Sequence, residues 1–206
     1  MLELPIHRSV RFLLLSPHYP ENVGAACRAV KTMGFTRMGL VRPSRLALPS
    51  HPMAQKMAVK SLDVLDSAEI YDNLDEAIVG ADIVVGSTAR RGISGVFTPS
   101  RLAPRVVEWA TAGKKIVLVF GNEKSGLTSD ELARCDFSFR IPMADAQPSL
   151  NLAQAVQVMA YELFAEARDA RSADQLRAAE LAEERARAAE ISSDSSDEAE
   201  TDGAAS

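Results

Sequence analysis

The chain has 206 residues, of which 47% are hydrophobic and 25% are charged, with a net charge of −5. This balance is typical of a soluble globular protein with one domain-sized core. No apolar run approaches the roughly 20 residues that a membrane-spanning helix needs, so we expect a cytoplasmic protein. The two cysteines and three histidines lack the spacing of zinc ligands or a disulfide framework, and we expect no metal.

Short β-rich runs alternate with segments of helical pattern. We predict strands at residues 10–15, 38–41, 82–86, 115–120 and 137–141. We predict helices at residues 22–33, 54–60, 73–79, 99–112 and 129–135, and a long helix from about 149 to at least 165. Five strands separated by helices predict an α/β fold with a largely parallel sheet. Ligands bind at the carboxyl ends of the strands in such folds, which directs attention to the loops that follow them.

The charges divide the chain unevenly. Residues 1–60 carry nine Lys and Arg against two Asp and Glu, whereas residues 169–206 carry four against eleven. The basic first third is compatible with a surface that faces phosphates, although charge alone slightly favours an ordinary solvated surface. We expect one folded domain over residues 1–166, followed over 167–206 by an Ala/Arg/Glu-rich stretch and an acidic tail. The tail is rich in Ser, Asp and Glu from residue 192 and is predicted to be disordered.

The first motif, Asn-Val-Gly-Ala-Ala-Cys-Arg, occupies residues 22–28 after the first strand. Asn22 is placed to cap the predicted helix, and the small residues after it allow a ligand or another backbone to approach closely. Taken alone, a capped helix with a solvated Arg28 is the simpler interpretation.

The second motif, Phe-Gly-Asn-Glu-Lys-Ser-Gly-Leu, occupies residues 120–127 after the most apolar strand. Its two glycines allow a tight loop, and Glu123 lies at the carboxyl end of the strand. The loop lacks the Gly-Lys-Ser/Thr of a P-loop and the glycine pattern of a dinucleotide site. A ligand-binding loop and a polar turn are about equally compatible with this motif alone.

The third motif joins Ile-Pro-Met at residues 141–143 to Ser-Leu-Asn-Leu-Ala-Gln-Ala-Val-Gln-Val-Met-Ala-Tyr-Glu-Leu at residues 149–163. Ser149 or Asn151 can cap the long helix, and the free amides of a helix start suit the polar groups of a ligand. A weaker fourth element is the small polar loop Gly-Ser-Thr-Ala-Arg at residues 86–90. Each of these elements also has an ordinary structural interpretation.

In this order and on these loops, the motifs resemble those of the SpoU-type RNA 2′-O-ribose methyltransferases in the SPOUT superfamily. The third motif and Gly-Ser-Thr-Ala-Arg are most similar to the TrmJ branch, which methylates tRNA in the anticodon loop. The resemblance covers residues 10–164 and implies S-adenosylmethionine as cofactor. It also implies a parallel sheet with a trefoil knot over residues 117–161, and a homodimer whose active site combines groups from both subunits.

The resemblance further implies a set of site residues, motif by motif. The catalytic set comprises Arg28, Asn22, Glu123, Ser149 and Asn151. The cofactor-binding set comprises Ser87, Thr88, Ala89, Gly121, Asn122, Ile141, Met143, Ser149, Leu150 and Asn151. The expected RNA contacts come from basic residues, namely Arg28, Arg42, Arg45, Lys56, Lys60, Arg90 and Arg91.

The family assigns the role of general base to the arginine that Arg28 matches. A guanidinium has a pKa above ~12 and stays protonated, so gripping the target phosphate and stabilising a developing alkoxide are easier roles. The acidic tail departs from the family pattern, since it should repel RNA. Asp145, close to the expected cofactor loop, has no assigned role.

Two other functions remain open from the sequence. Within the same family, ribosomal RNA is an alternative substrate. A non-catalytic RNA-binding relative is a different class, although every motif position needed for catalysis is filled. A dehydrogenase or hydrolase has little support, because the dinucleotide fingerprint and a Ser/His/Asp set are both missing.

Overall fold

A computed structural model describes residues 4–144 and 149–201. Within them seven strands form one sheet, and every neighbouring pair is parallel, which confirms the predicted fold class. The strands are β1 (Val10–Leu15), β2 (Met38–Val41), β3 (Glu69–Tyr71), β4 (Ile83–Ser87), β5 (Val96–Phe97), β6 (Ile116–Phe120) and β7 (Phe137–Phe139). The helices are α1 (Pro5–Ser9), α2 (Pro20–Thr32), α3 (Pro52–Ala58), α4 (Leu62–Asp66), α5 (Leu74–Ala77), α6 (Pro99–Thr111), α7 (Ser129–Leu132) and α8 (Leu152–Thr201), with a 3₁₀ turn at Val59–Ser61.

The sheet has the strand order β3-β2-β1-β6-β4-β7-β5, so the two most apolar strands lie side by side near its centre. In the β1–β6 register, Phe12 is opposite Leu118 and Leu14 is opposite Phe120. All five residues of β6 are buried. A parallel strand covered on both faces needs such an unbroken apolar run, and for this reason the sequence identified these strands most clearly.

Successive side chains of the central strands enter two separate cores, because side chains alternate across a strand. Phe12, Leu14 and Phe120 lie in the larger core, which also holds apolar residues of α2, α6 and the first turns of α8. Leu13 and Val119 lie in the smaller core on the other face. Helices therefore cover the sheet on both sides, and its carboxyl edge is left for the loops.

All five predicted strands are present, but four short elements escaped prediction. These are α1, α4, β3 and β5. The two missed strands have only three and two residues and are at least partly exposed, so they lack an apolar run that would mark them. Among the described residues no helix is both long enough and apolar enough to cross a membrane.

Helix α2 begins at Pro20, two residues before the predicted start. Proline is favoured in the first helical turn because its missing N–H has no partner there in any case. Tyr19 is consequently the N-cap, and the prediction that Asn22 caps this helix is wrong. Asn22 lies inside the first turn, and its side chain is buried.

The chain divides into two compact units, Met1–Ala167 and Arg168–Ser206. Helix α8 reaches Thr201, so residues 192–201 are helical where we had predicted disorder. Alanine, arginine and glutamate favour the helix strongly in the stretch before them, and a helix once formed extends at little cost. Residues 202–206 lie outside the described part of the chain.

Gly24 has a packing role at the crossing of α2 and α3. A β-carbon added at Gly24 would lie 2.0 Å from the carbonyl oxygen of Ala54, far inside contact distance. The small residue at this position thus admits a neighbouring helix backbone.

Gly24→Ala separates this packing role from helix propensity. Propensity alone would make alanine more stable by about 0.5–1 kcal/mol. Because the added methyl group meets backbone that must move, we expect the free energy of unfolding in urea to fall instead, by about 1–3 kcal/mol. An unchanged or increased free energy of unfolding would show that α2 and α3 move apart at no cost to make room for the methyl group.

Candidate active site

A cavity of about 380 Å³ opens at the carboxyl edge of the sheet, where β4, β6 and β7 end. Its volume is within the range of sites for small ligands. Nine of the ten residues predicted to bind a cofactor line it, and Asn151 is the exception. The nine are Ser87, Thr88, Ala89, Gly121, Asn122, Ile141, Met143, Ser149 and Leu150.

Apolar side chains that the predicted cofactor set leaves out form much of the cavity wall. Phe120 and Phe139 come from the ends of β6 and β7, and Leu152 and Ala155 come from the first turn of α8. In the sequence these residues are indistinguishable from ordinary core residues, since their exposure to a cavity depends on how α8 packs. Asp145 lies outside the described residues.

The loop after β6 is closed by its own hydrogen bonds. The side-chain oxygen of Asn122 accepts from the backbone amides of Lys124 and Ser125, each at 2.9 Å. A β-carbon on Gly121 would lie 2.2 Å from the carbonyl carbon of Gly126, so only glycine fits there. Asn122 therefore shapes the wall of the cavity, and its side-chain oxygen is already occupied.

The loop after β4 is tied to β7. The backbone amide of Thr88 donates to the carbonyl oxygen of Phe139 at 2.9 Å, and the buried hydroxyl of Thr88 accepts from the amide of Arg90 at 3.2 Å. Arg90 lines the cavity, and its guanidinium donates to the hydroxyl of Ser129 at 2.8 Å. These bonds fix the small polar residues of this loop against the opening.

The carboxylate of Glu123 joins the second motif to the first. One oxygen accepts from the side-chain amide of Asn22 at 2.7 Å and from the backbone amide of Tyr19 at 3.3 Å. The other accepts from the amide of His18 at 3.1 Å. All three donors lie at the start of α2, where the helix dipole also favours a negative charge. Glu123 is thus occupied in holding two loops together.

Asn22 extends this connection to the third motif. Its side-chain oxygen accepts from the side-chain amide of Asn151 at 2.8 Å. The oxygen of Asn151 in turn accepts from the amide of Ala153 at 2.9 Å and caps α8. Because each amide group donates at one end and accepts at the other, the network has a single consistent direction from α8 to Glu123.

Arg28 is separate from these residues. It is exposed on α2 and lines a second surface cavity of about 390 Å³, together with Lys31, Thr32, Val59, Lys60 and Ser61. Arg28 follows Asn22 by six positions, which places the two on different faces of the helix. Within the described part of one chain, hydrogen bonds join Asn22, Glu123 and Asn151. Glu123 also lines the first cavity, together with Ser149. Arg28, the fifth predicted catalytic residue, belongs to neither group.

The remaining predicted RNA contacts differ in their surroundings. Arg42 is half-exposed but forms an ion pair with Glu131 at 2.8 Å, which partly neutralises it. Arg45, Lys56, Lys60 and Arg91 are exposed.

Neither cysteine has the character of a nucleophile. Burial raises the pKa of the Cys27 thiol to about 12, and burial followed by the charges of Asp136 and Glu131 raises that of Cys135 to about 12. Both therefore stay protonated near neutral pH, which argues against a covalent cysteine intermediate. Among the described residues, no group of three or more His, Cys, Asp or Glu side chains is arranged to hold a metal ion.

A parallel sheet with a cavity at its carboxyl edge, bounded by a glycine loop and a helix start, defines an α/β protein with a candidate site for a small ligand. The match to known families is specific. The SpoU rRNA Methylase family model matches residues 9–161, and the chain belongs to this family.

Individual relatives agree with this membership. The chain is 40% identical over 156 residues to the tRNA (cytidine/uridine/adenosine-2′-O-)-methyltransferase TrmJ of Pseudomonas aeruginosa, a match that covers 75% of this chain and 60% of that protein. The chain thus spans about 60% of the length of the curated relatives it matches.

Solved structures give the same result. A methylase family protein from Neisseria gonorrhoeae has a TM-score of 0.74 at 34% identity, covering 81% of this chain and 85% of that one. TrmJ from Z. mobilis has a TM-score of 0.70 at 32% identity, covering 76% and 69%. At the level of the fold alone, the SpoU methyltransferase AviRb from Streptomyces viridochromogenes, solved with AdoMet, has a TM-score of 0.61 at 20% identity, covering 81% and 59%.

Glu123→Gln tests the role of the carboxylate. One side-chain oxygen is replaced by an amide that cannot accept from these donors, so at least one of the three donors loses its charged partner. We expect the free energy of unfolding to fall by about 1–3 kcal/mol. The matched control is Glu108→Gln on an exposed face of α6, for which we expect a change within about 0.5 kcal/mol. Equal free energies of unfolding in urea for the two variants would show that the hydrogen bonds of Glu123 do not stabilise the fold.

Proposed function

We propose that this protein transfers a methyl group from S-adenosylmethionine to a ribose 2′-hydroxyl of RNA, with the anticodon loop of tRNA as substrate. One observation carries the proposal. Residues from the Gly-Ser-Thr-Ala-Arg loop, the second motif and the third motif, spread over residues 87–155, line a single cavity at the carboxyl edge of the sheet. Family membership and the tRNA methyltransferase relatives support the reaction and the substrate.

The cavity suits a cofactor with an apolar ring and polar ends. Phe139, Ile141 and Leu152 offer apolar surface, whereas Thr88 and Ser149 offer polar groups at the same opening. We propose that the predicted cofactor set holds S-adenosylmethionine here. Asn151 does not line the cavity, and its proposed role is to fix the start of α8 through its bond to the amide of Ala153. The bound cofactor supplies an activated methyl group, and the residues around it align the hydroxyl in line with that group.

Arg28 has an electrostatic role in this proposal. A guanidinium stays charged at neutral pH, so it grips an RNA phosphate and stabilises the alkoxide that develops as the 2′-hydroxyl loses its proton. Lys60 is exposed and lines the same surface cavity, so it offers a second positive charge for a phosphate nearby.

The separation of Arg28 from the first cavity supports a homodimer. We propose that two chains pair so that Arg28 of one copy faces the cofactor cavity of the other, as the family pattern implies. Each active site is then incomplete without a second copy.

The remaining features of the proposal concern the whole chain. We propose that residues 1–166 form the methyltransferase domain, with the family's trefoil knot over residues 117–161, and that residues 167–206 are an appended segment. The cytoplasm is the proposed location, since the substrate is tRNA. The acidic charge of the appended segment leaves RNA binding to the basic surface of the domain.

Arg28 substitutions test the reaction. Purified protein is incubated with labelled S-adenosylmethionine and unmodified tRNA or rRNA, and the product is digested to nucleosides. We expect label in 2′-O-methylated nucleosides of tRNA, a loss of at least about a hundredfold in Arg28→Ala, and a smaller loss in Arg28→Lys. Full turnover in Arg28→Lys would remove the specific need for a guanidinium, and label in rRNA alone would change the substrate.

Mixed dimers test the shared site. Dimers of Arg28→Ala alone and of Asn151→Ala alone are each expected to be inactive. When the two variants are co-expressed, mixed dimers form, and one of their two sites combines an intact Asn151 from one chain with an intact Arg28 from the other. If half of the dimers are mixed, activity returns to about a quarter of the wild-type value. The control is each variant co-expressed with itself. No recovery in isolated mixed dimers would place Arg28 in the site of its own chain.

A further inference from the structure

Two aromatic rings lie beside the candidate active site and have no role in the network described above. His18 and Tyr19 are in the loop between β1 and α2, with ring centroids 5.0 Å apart and planes at 89°. Both residues are exposed, Tyr19 at 46% of its surface. Their backbone amides are two of the donors to Glu123, which lines the cofactor cavity. The backbone that carries the two rings is therefore bonded to a residue of the cavity wall.

The loop that carries these rings is fixed on two sides. Glu123 holds its amides, and Ser44 holds its carbonyl groups from the other side. The Ser44 hydroxyl donates to the carbonyl oxygen of His18 at 2.9 Å, and the Ser44 amide donates to that of Pro17 at 3.0 Å. An exposed ring on an immobilised backbone loses little conformational entropy when it binds a flat partner, which is the condition for a good recognition surface.

We propose that Tyr19, with His18 packed edge-on against it, stacks on an unpaired base of the RNA substrate at the entrance to the active site. This inference rests on the proposed function, because it assumes that an RNA ribose enters the cavity. A ribose that presents its 2′-hydroxyl there carries its own base outward, and the bases before and after it are nearby. Unpaired bases are recognised in RNA largely by stacking on aromatic side chains.

The surrounding charge favours a nucleotide over an apolar partner. Arg45 directly follows Ser44 in the neighbouring loop after β2 and is exposed, so it offers a positive charge for a phosphate beside the rings. Stacking uses the face that all bases share, so the platform holds a nucleotide without selecting its identity. Among the described tyrosines, Tyr161 is also exposed, but it lies on α8 and serves as a matched control.

The first test compares binding of an unmodified tRNA transcript by Tyr19→Ala, Tyr19→Phe and Tyr161→Ala. We expect Tyr19→Ala to weaken binding about five- to a hundredfold, the usual range for loss of one base stack, and Tyr19→Phe to bind like the wild type. Binding of S-adenosylmethionine should stay unchanged in all three. Wild-type RNA affinity in Tyr19→Ala, or a defect in Tyr19→Phe as large as in Tyr19→Ala, overturns the proposal.

The second test removes the base instead of the ring. Transcripts with single abasic riboses at the methylated nucleotide and at each neighbour are compared in wild type and Tyr19→Ala. At the position that stacks, the difference between the two proteins should disappear, a result that a purely structural role of Tyr19 cannot produce. If wild type and Tyr19→Ala differ in RNA affinity by the same factor at every abasic position, the inference is wrong. It is also wrong if sedimentation shows that Tyr19→Ala binds RNA weakly because its dimer has dissociated. Failure of the wild type to methylate any RNA would instead remove the proposed function on which the inference rests.

Discussion

The carboxylate of Glu123 is the constraint on which the site depends. It accepts from the start of α2 and from Asn22, and Asn22 accepts from Asn151 at the start of α8. Three segments that are distant in sequence are thereby held at one edge of the sheet. Asn22, the buried member of this network, has both ends of its side-chain amide bonded, so it links the other two segments without an unsatisfied polar atom. Two of these segments, those of Glu123 and of Asn151, border the cavity.

The central strands provide the rigid base for that edge. Since β1 and β6 are buried on both faces, helices must cover both sides, and the carboxyl ends of the strands remain open to loops. Gly121 and Gly24 then allow two close backbone approaches, one inside the cavity loop and one between α2 and α3. The polar groups are consequently carried on elements that have little freedom to move, which favours precise alignment of two reactants.

The sequence predicted the layout of the fold well and its details unevenly. Long apolar runs such as Ile116–Phe120 identify buried strands, because few other structures tolerate them. The short, partly exposed strand Glu69–Tyr71 gave no such signal. Asn22 was expected as a helix cap because asparagine favours that position, whereas Pro20 starts the helix earlier and leaves Asn22 to bond across loops. Local preference was outweighed there by tertiary contacts.

The sequence by itself determined the class of the fold, the loops that line the cavity and the family, because these follow from periodicity and from motifs of contiguous residues. Only the tertiary structure decided which of those residues meet. It turned Glu123 towards the first motif, set apolar residues of α8 into the cavity wall and placed Arg28 on a different surface. Such outcomes depend on the direction of side chains from packed elements, and a linear pattern does not contain that direction.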